Sequence, residues 1–331
     1  LIIHKYLEAY FFYILTYMPK IEFQYQISKT ANLFHFISNL ANWHHSVRPH
    51  YRKLWLEKTG DLTNEDNKKL EQAKKLFQKH DFRSGGYWGK VFFDNEESVW
   101  SKAKEVFSKE DCQSFEELSE HFSKRFELVW QEDKPLLEQW SQRLGETEKH
   151  IPQEEIINIL NSFFPDKLTS DVTIKINLLL NPANQGVSGG ANTSRFSVEM
   201  EVSHTPENQV KHVWSVIWHE LIHKLWQKQI FSERNHNLVK KLKIESPLRG
   251  IANEELAKEM ITDAFVPHGY IRQVTLHSKG IKEHIENKLH KMKSSQLGML
   301  QIRYLSSLNL ASIVKQYVDQ NREIDQDFYR S

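Results

Sequence analysis

The chain predicts an α+β fold, mainly helical, and three observations predict it. Apolar residues recur at helical spacing over most of its length. Two segments, 172–180 and 196–202, alternate apolar and polar residues most strongly, as half-buried strands do. A third segment, from Thr205 to about Gln229, is apolar on every side, the pattern of a buried helix. The expected arrangement is a small, mostly antiparallel sheet against a pair of helices, with helical layers before and after. A polar joint over Gly145–His150 places a boundary there, giving a helical region 1–150 and a second domain 151–331.

Residues 1–18 are apolar and aromatic, yet His4, Lys5 and Glu8 interrupt them. They form neither a signal peptide nor a convincing membrane span. Met18-Pro19-Lys20 reads as a natural start, which would make residues 1–17 extraneous; a membrane-associated helix is the other reading. Ile21, Phe23, Tyr25 and Ile27 alternate as a short strand. Thr30 to Trp43 then places Leu33, Phe34, Ile37 and Leu40 on one helical face. Residues 61–80 form a charged helix capped by Thr63, with Asp66 in its first turn and Leu70, Ala73, Leu76 and Phe77 turned inward. Gly85–Lys90 superficially resembles a phosphate loop, but Val91 stands where Ser or Thr would be needed, so it reads as a turn. Ser114 and Glu117 suggest a capping box opening a helix to Gln131, with Phe115, Leu118, Phe122, Phe126 and Trp130 as its buried stripe. Pro135 to Leu144 continues helically.

Ile151 to Phe164 is a short helix stopped by Pro165. The two strands follow, joined by the glycine-rich stretch Asn181–Asn192, too long for a tight hairpin. Beyond the apolar helix, Pro247 and Gly250 break the chain before another helix over Asn253–Asp263, which ends near Pro267 and Gly269. From Ile281 onward the apolar pattern is again helical.

The buried helix carries His219-Glu220-Leu221-Ile222-His223. Residues four apart sit about 40° from each other around a helix, so both imidazoles can reach one ion. Glu220, between them, leans to the side where it can hold a water. Two imidazoles and a carboxylate inside so apolar a helix cost several kcal/mol unless something satisfies them. This is the HExxH arrangement of zinc-dependent hydrolases, with one Zn2+ per chain and the glutamate as general base. A catalytic zinc needs a third protein ligand plus water, and the helix over Asn253–Asp263 is the best source of it.

That helix resembles the gluzincin metallopeptidases, the thermolysin- and neprilysin-like clan, whose corresponding run is Glu, any residue, Ile, a small residue, Asp. Glu259-Met260-Ile261-Thr262-Asp263 fits it. The resemblance implies a zincin-like domain with His219, His223 and Glu259 as ligands. It makes Asp263 the residue that orients a ligating histidine. Glu255 and Glu254 remain alternatives, because Asn253-Glu254-Glu255-Leu256-Ala257 also matches a run of related groups, and Glu255 has Glu259 one turn on. It further implies that Gly190, Ala191 and Asn192 edge the cleft, where substrate backbone would pair as an added strand. It calls for an oxyanion stabiliser such as His268 or Tyr270, with Arg272 and Tyr304 also in range. Lys224, directly after the second histidine, departs from the clan's pattern. The implied activity is peptide-bond hydrolysis on a peptide or protein substrate. A binding or regulatory protein that keeps the fold without turnover, or a helical interaction protein with a chance HExxH, would be the other classes.

The bulk composition bounds partners and compartment. In 331 residues, 44 basic and 43 acidic side chains leave a net charge of +1, without the basic excess of a dedicated nucleic-acid binder. The lone Cys112 excludes an intrachain disulfide framework and fits a reducing, cytoplasmic setting.

Overall fold

The computed structural model describes residues 18–43, 49–80, 82, 91–92, 98–182, 191–194, 197–203, 210–227, 253–266, 299–325 and 327–328. It is α+β and mainly helical. In chain order the elements are β1 (Ile21–Gln26), α1 (Lys29–Ala41), α2 (Pro49–Thr59), α3 (Asn64–Lys79), α4 (Val99–Val106), α5 (Lys109–Glu148) and α6 (Gln153–Phe163). There follow β2 (Val172–Leu180), β3 (Ala191–Ser194), β4 (Ser197–Val202), α7 (Val210–Leu221), a π-helical turn (Ile222–Trp226), α8 (Asn253–Phe265) and α9 (Met299–Asp319).

The four strands lie in the order β1-β2-β4-β3. The expected antiparallel sheet needs correction: β2 and β4 pair parallel, Lys175 opposite Ser197 through Leu180 opposite Val202. The reason is the intervening strand β3, in a stretch the sequence pattern leaves as loop. It pairs antiparallel with β4, Ala191 opposite Met200 and Ser194 opposite Ser197, so β4 runs against β3 and alongside β2. Burial fits this topology. Parallel strands are covered on both faces, and in β4 not only Val198, Met200 and Val202 but also Ser197 and Glu199 are buried.

The chain divides into two compact units. One comprises Phe23–Ile151 and Ile174–Lys224. Its core is built around α1, whose face Phe34, Phe36, Ile37 and Leu40 is wholly buried and packs against α2, α3 and α5. Ser28 caps α1, its hydroxyl accepting from the Ala31 N–H at 3.1 Å. Asn32 ties the helix to the sheet: its amide donates to Leu178 O at 3.1 Å and accepts from Leu180 N–H at 3.1 Å.

The capping box at the start of α3 forms as the sequence predicts. Thr63 Oγ1 accepts from Asp66 N–H, and Asp66 accepts from Thr63 N–H at 2.8 Å. The helix at Ser114 does not begin there. α5 is continuous over 40 residues and its N-cap is Ser108, whose hydroxyl accepts from Asp111 N–H. The buried stripe extends one turn earlier, through Cys112, and the helix follows the stripe. α5 also runs through Pro135 and Gly145 to Glu148, past the expected joint.

The other unit comprises residues 1–22, 152–173 and 225–331. α8 packs on α9. Phe163, Phe265, Tyr317 and Phe328 form an aromatic cluster, with Phe163 centred 5.0 Å from Phe265 and 5.3 Å from Phe328. Ile324 N–H donates to Phe163 O at 2.8 Å, so the tail after α9 is laid against the end of α6. No helix among the described residues is long and apolar enough to cross a membrane.

Candidate metal centre

α7 is held against the sheet by its apolar sides. Trp214 meets Phe23 of β1 edge-on at 4.9 Å between ring centroids, and Val213, Ile217, Trp218 and Leu221 are buried with it. α7 packs on β3 and β4. The burial is one-sided, against the expectation of a helix covered all round: Lys211 and His212 are exposed, and Ser215, Val216 and Glu220 are half-buried. After Leu221 the helix widens into a single π turn that carries His223. One-turn π segments inside helices recur at functional sites because the extra residue re-aims a side chain.

The two histidines converge. Nε2 of His219 lies 3.0 Å from Nε2 of His223, with the rings 4.6 Å apart and nearly perpendicular, at 79°. His219 is buried and His223 half-buried. Two nitrogens held tetrahedrally at about 2.0–2.1 Å from zinc would stand about 3.3–3.4 Å apart, so this spacing is near what one ion requires. Glu220 is half-buried beside them.

Glu259 is half-buried and Asp263, one turn further along α8, is almost fully buried. The start of the π turn's exit is fixed to the same helix: Gln227 Nε2 donates to Thr262 Oγ1 at 2.9 Å. Trp226 Nε1 donates to Asn161 Oδ1 at 2.8 Å, which holds the π turn's end against α6. Glu259, the expected third ligand, stands on α8 in the other compact unit. Two imidazoles and a carboxylate form a donor set that suits zinc.

The remaining predicted positions fall unevenly. Ala191 and Asn192 lie in β3, the outer strand of the sheet, whose ladder is made with β4. The backbone of Glu254 and Glu255 belongs to the first turns of α8, their side chains lying outside the described set, as does that of Tyr304 in α9. Gly190, His268, Tyr270 and Arg272 lie outside the described residues.

One group near the motif has no counterpart in the sequence reading. Glu199 of β4 is 2% exposed, and the Ser197 hydroxyl donates to its Oε1 at 2.7 Å. Asn177, opposite it on β2, donates to the same oxygen at 3.3 Å. Burial pushes the Glu199 carboxyl up, those two hydrogen bonds and one from its own backbone N–H pull it down, and the charge of Glu220 raises it again, to about 7. The signal was the alternation Ser197, Glu199, Glu201, which marks one face of a strand without showing that α7 and its neighbours cover it. Comparison with protein-family models, with curated proteins and with solved structures gives no match.

Proposed function

We propose that this chain is a zinc-dependent peptidase of the gluzincin type, with His219, His223 and Glu259 as metal ligands. The observation that carries the reading is the 3.0 Å approach of the two Nε2 atoms on one buried helix, with a carboxylate residue set between them in the chain. The run Glu259-Met260-Ile261-Thr262-Asp263 supports the third ligand. Glu255 and Glu254 are the alternatives, and Asp263 is the residue to orient a ligating imidazole.

A zinc held there would supply a Lewis acid and bring the pKa of a water towards about 7. Glu220 would serve as general base, taking a proton from the attacking water and passing it to the leaving amine. His219 and His223 would each present Nε2 to the ion. β3, outermost in the sheet order among the described residues, offers Ala191 and Asn192 as the edge on which an extended substrate pairs backbone to backbone. A zincin-like architecture and a cytoplasmic, peptide- or protein-directed role belong to the same proposal.

The test is Glu220→Gln. It should keep the metal and lower hydrolysis of an unstructured peptide library by about 10²-fold or more, the range for loss of a positioned general base. Undiminished turnover would remove Glu220 from that role.

A further inference from the structure

The buried acid Glu199 has a feature the peptidase reading does not use. Its Oε1 accepts from Ser197 and Asn177, while Oε2 is buried with no partner within hydrogen-bond geometry among the described residues. Oδ1 of Asn177, the residue directly opposite, is likewise buried without a partner, although the same amide's Nδ2 donates to Glu199. Two acceptor oxygens on facing side chains, each 2% exposed or less, cost free energy as long as both carry only lone pairs. One proton resolves both. A carboxylic acid and a primary amide can close a ring of two hydrogen bonds, O–H to the amide oxygen and N–H to the acid's carbonyl oxygen.

We infer that Glu199 is a neutral carboxylic acid in the folded protein, its Oε2 proton donated to Asn177 Oδ1, and that this acid–amide pair is a positioning element under the motif helix. Its neutrality spares Glu220 a second anion at Glu199; this half of the inference rests on the peptidase reading. The surroundings agree. Glu220 of α7 acts on Glu199 through its charge and opposes a second anion. Glu201, two residues on and on the same face, is engaged by Tyr51 Oη of α2 at 3.1 Å and lies 3.9 Å from His35 Nε2 of α1. Lys175, the one cationic side chain on that face of β2, sits opposite Ser197 and is half-buried. Burial holds the proton on Glu199, which would otherwise titrate near 4.5 and here does so at about 7. The native state therefore keeps a proton that the unfolded chain has lost between those values, so stability falls as pH rises through that window.

Glu199→Gln replaces the O–H by an N–H in the same place and cannot ionise. Chemical denaturation of both proteins from pH 4 to 8 reads the difference, in which every other titrating group cancels. The two should match near pH 4, and by pH 8 the variant's folding equilibrium should be favoured by on the order of 10²-fold over wild type. A difference that does not change with pH overturns the neutral acid. Glu199→Ala, compared in peptide hydrolysis under conditions where it is folded, should lower kcat with KM little changed, and Gln should restore kcat. A Gln variant as slow as Ala overturns the positioning role. Zinc content is measured on all three: if wild type binds none, the peptidase reading and the positioning half fail together, while the denaturation series still decides the proton.

Discussion

Asp133 lies in the middle of the long helix α5, 4% exposed, two residues before Pro135. Burial pushes its carboxyl up; the charge of Lys58 offsets part of this and that of Glu132 adds to it, so that it titrates at about 7 instead of 3.8. The folded protein holds this proton between those two pH values and the unfolded chain does not. Below the unfolded value the acid is neutral in both states and costs nothing. Above the folded value the full cost of a buried anion is present: about three pH units, or on the order of 4 kcal/mol, an upper figure because water penetration reduces it. Asp133→Asn removes the charge while keeping shape and an acceptor. Urea denaturation at half-unit steps from pH 4 to 8 should show wild type losing stability relative to the variant, with the gap opening between about pH 4 and 7 and reaching roughly 2–4 kcal/mol. A constant gap across that range would refute the argument, because it would mean that Asp133 ionises as freely in the folded state as in the unfolded one.

Other outcomes follow from the same geometry. Asp66 behaves in the opposite sense. Burial alone would raise it, but the Thr63 N–H, His121, the Thr63 hydroxyl and the charge of Arg125 together hold it below the usual carboxylate range. The stability it contributes is present above the unfolded value and lost as pH falls through the folded one, so Asp66→Asn should flatten part of the acid limb of a thermal-melting profile below pH 4. Asn32→Ala leaves Leu178 O and Leu180 N–H without their side-chain partner and should cost roughly 2–3 kcal/mol in denaturant midpoint analysis. A cost under about 0.5 kcal/mol would mean that backbone or water replaces those bonds.

The sequence displayed its helices because each buries one face. Leu70, Ala73, Leu76 and Phe77 fix α3, and Thr63 with Asp66 marks its start by a purely local rule. Capping rules also mislead when two candidates lie within one turn or two of each other: Ser108 and Ser114 both precede an acidic residue by three, and the buried stripe beginning at Cys112 decides for Ser108. Strand direction was not legible, since parallel pairing of β2 with β4 depends on β3, four residues with no apolar alternation of their own. The converging histidine pair was legible through its spacing and its apolar flanks, which are local properties of the chain. Glu199 was hidden for a complementary reason: alternation separates two strand faces but is silent on what lies over each, and here both are covered.

The central claim is a zinc ion held by His219, His223 and Glu259. The most direct measurement is zinc content per chain, by elemental analysis, of wild type, His219→Ala, and Glu254→Ala, Glu255→Ala and Glu259→Ala singly. The account predicts about one zinc in wild type, lost in the His219 and Glu259 variants and kept in the other two. Wild type without zinc after incubation with it, or a His219 variant that keeps its zinc, would contradict the account and leave the histidines as a hydrogen-bonded pair in a buried helix.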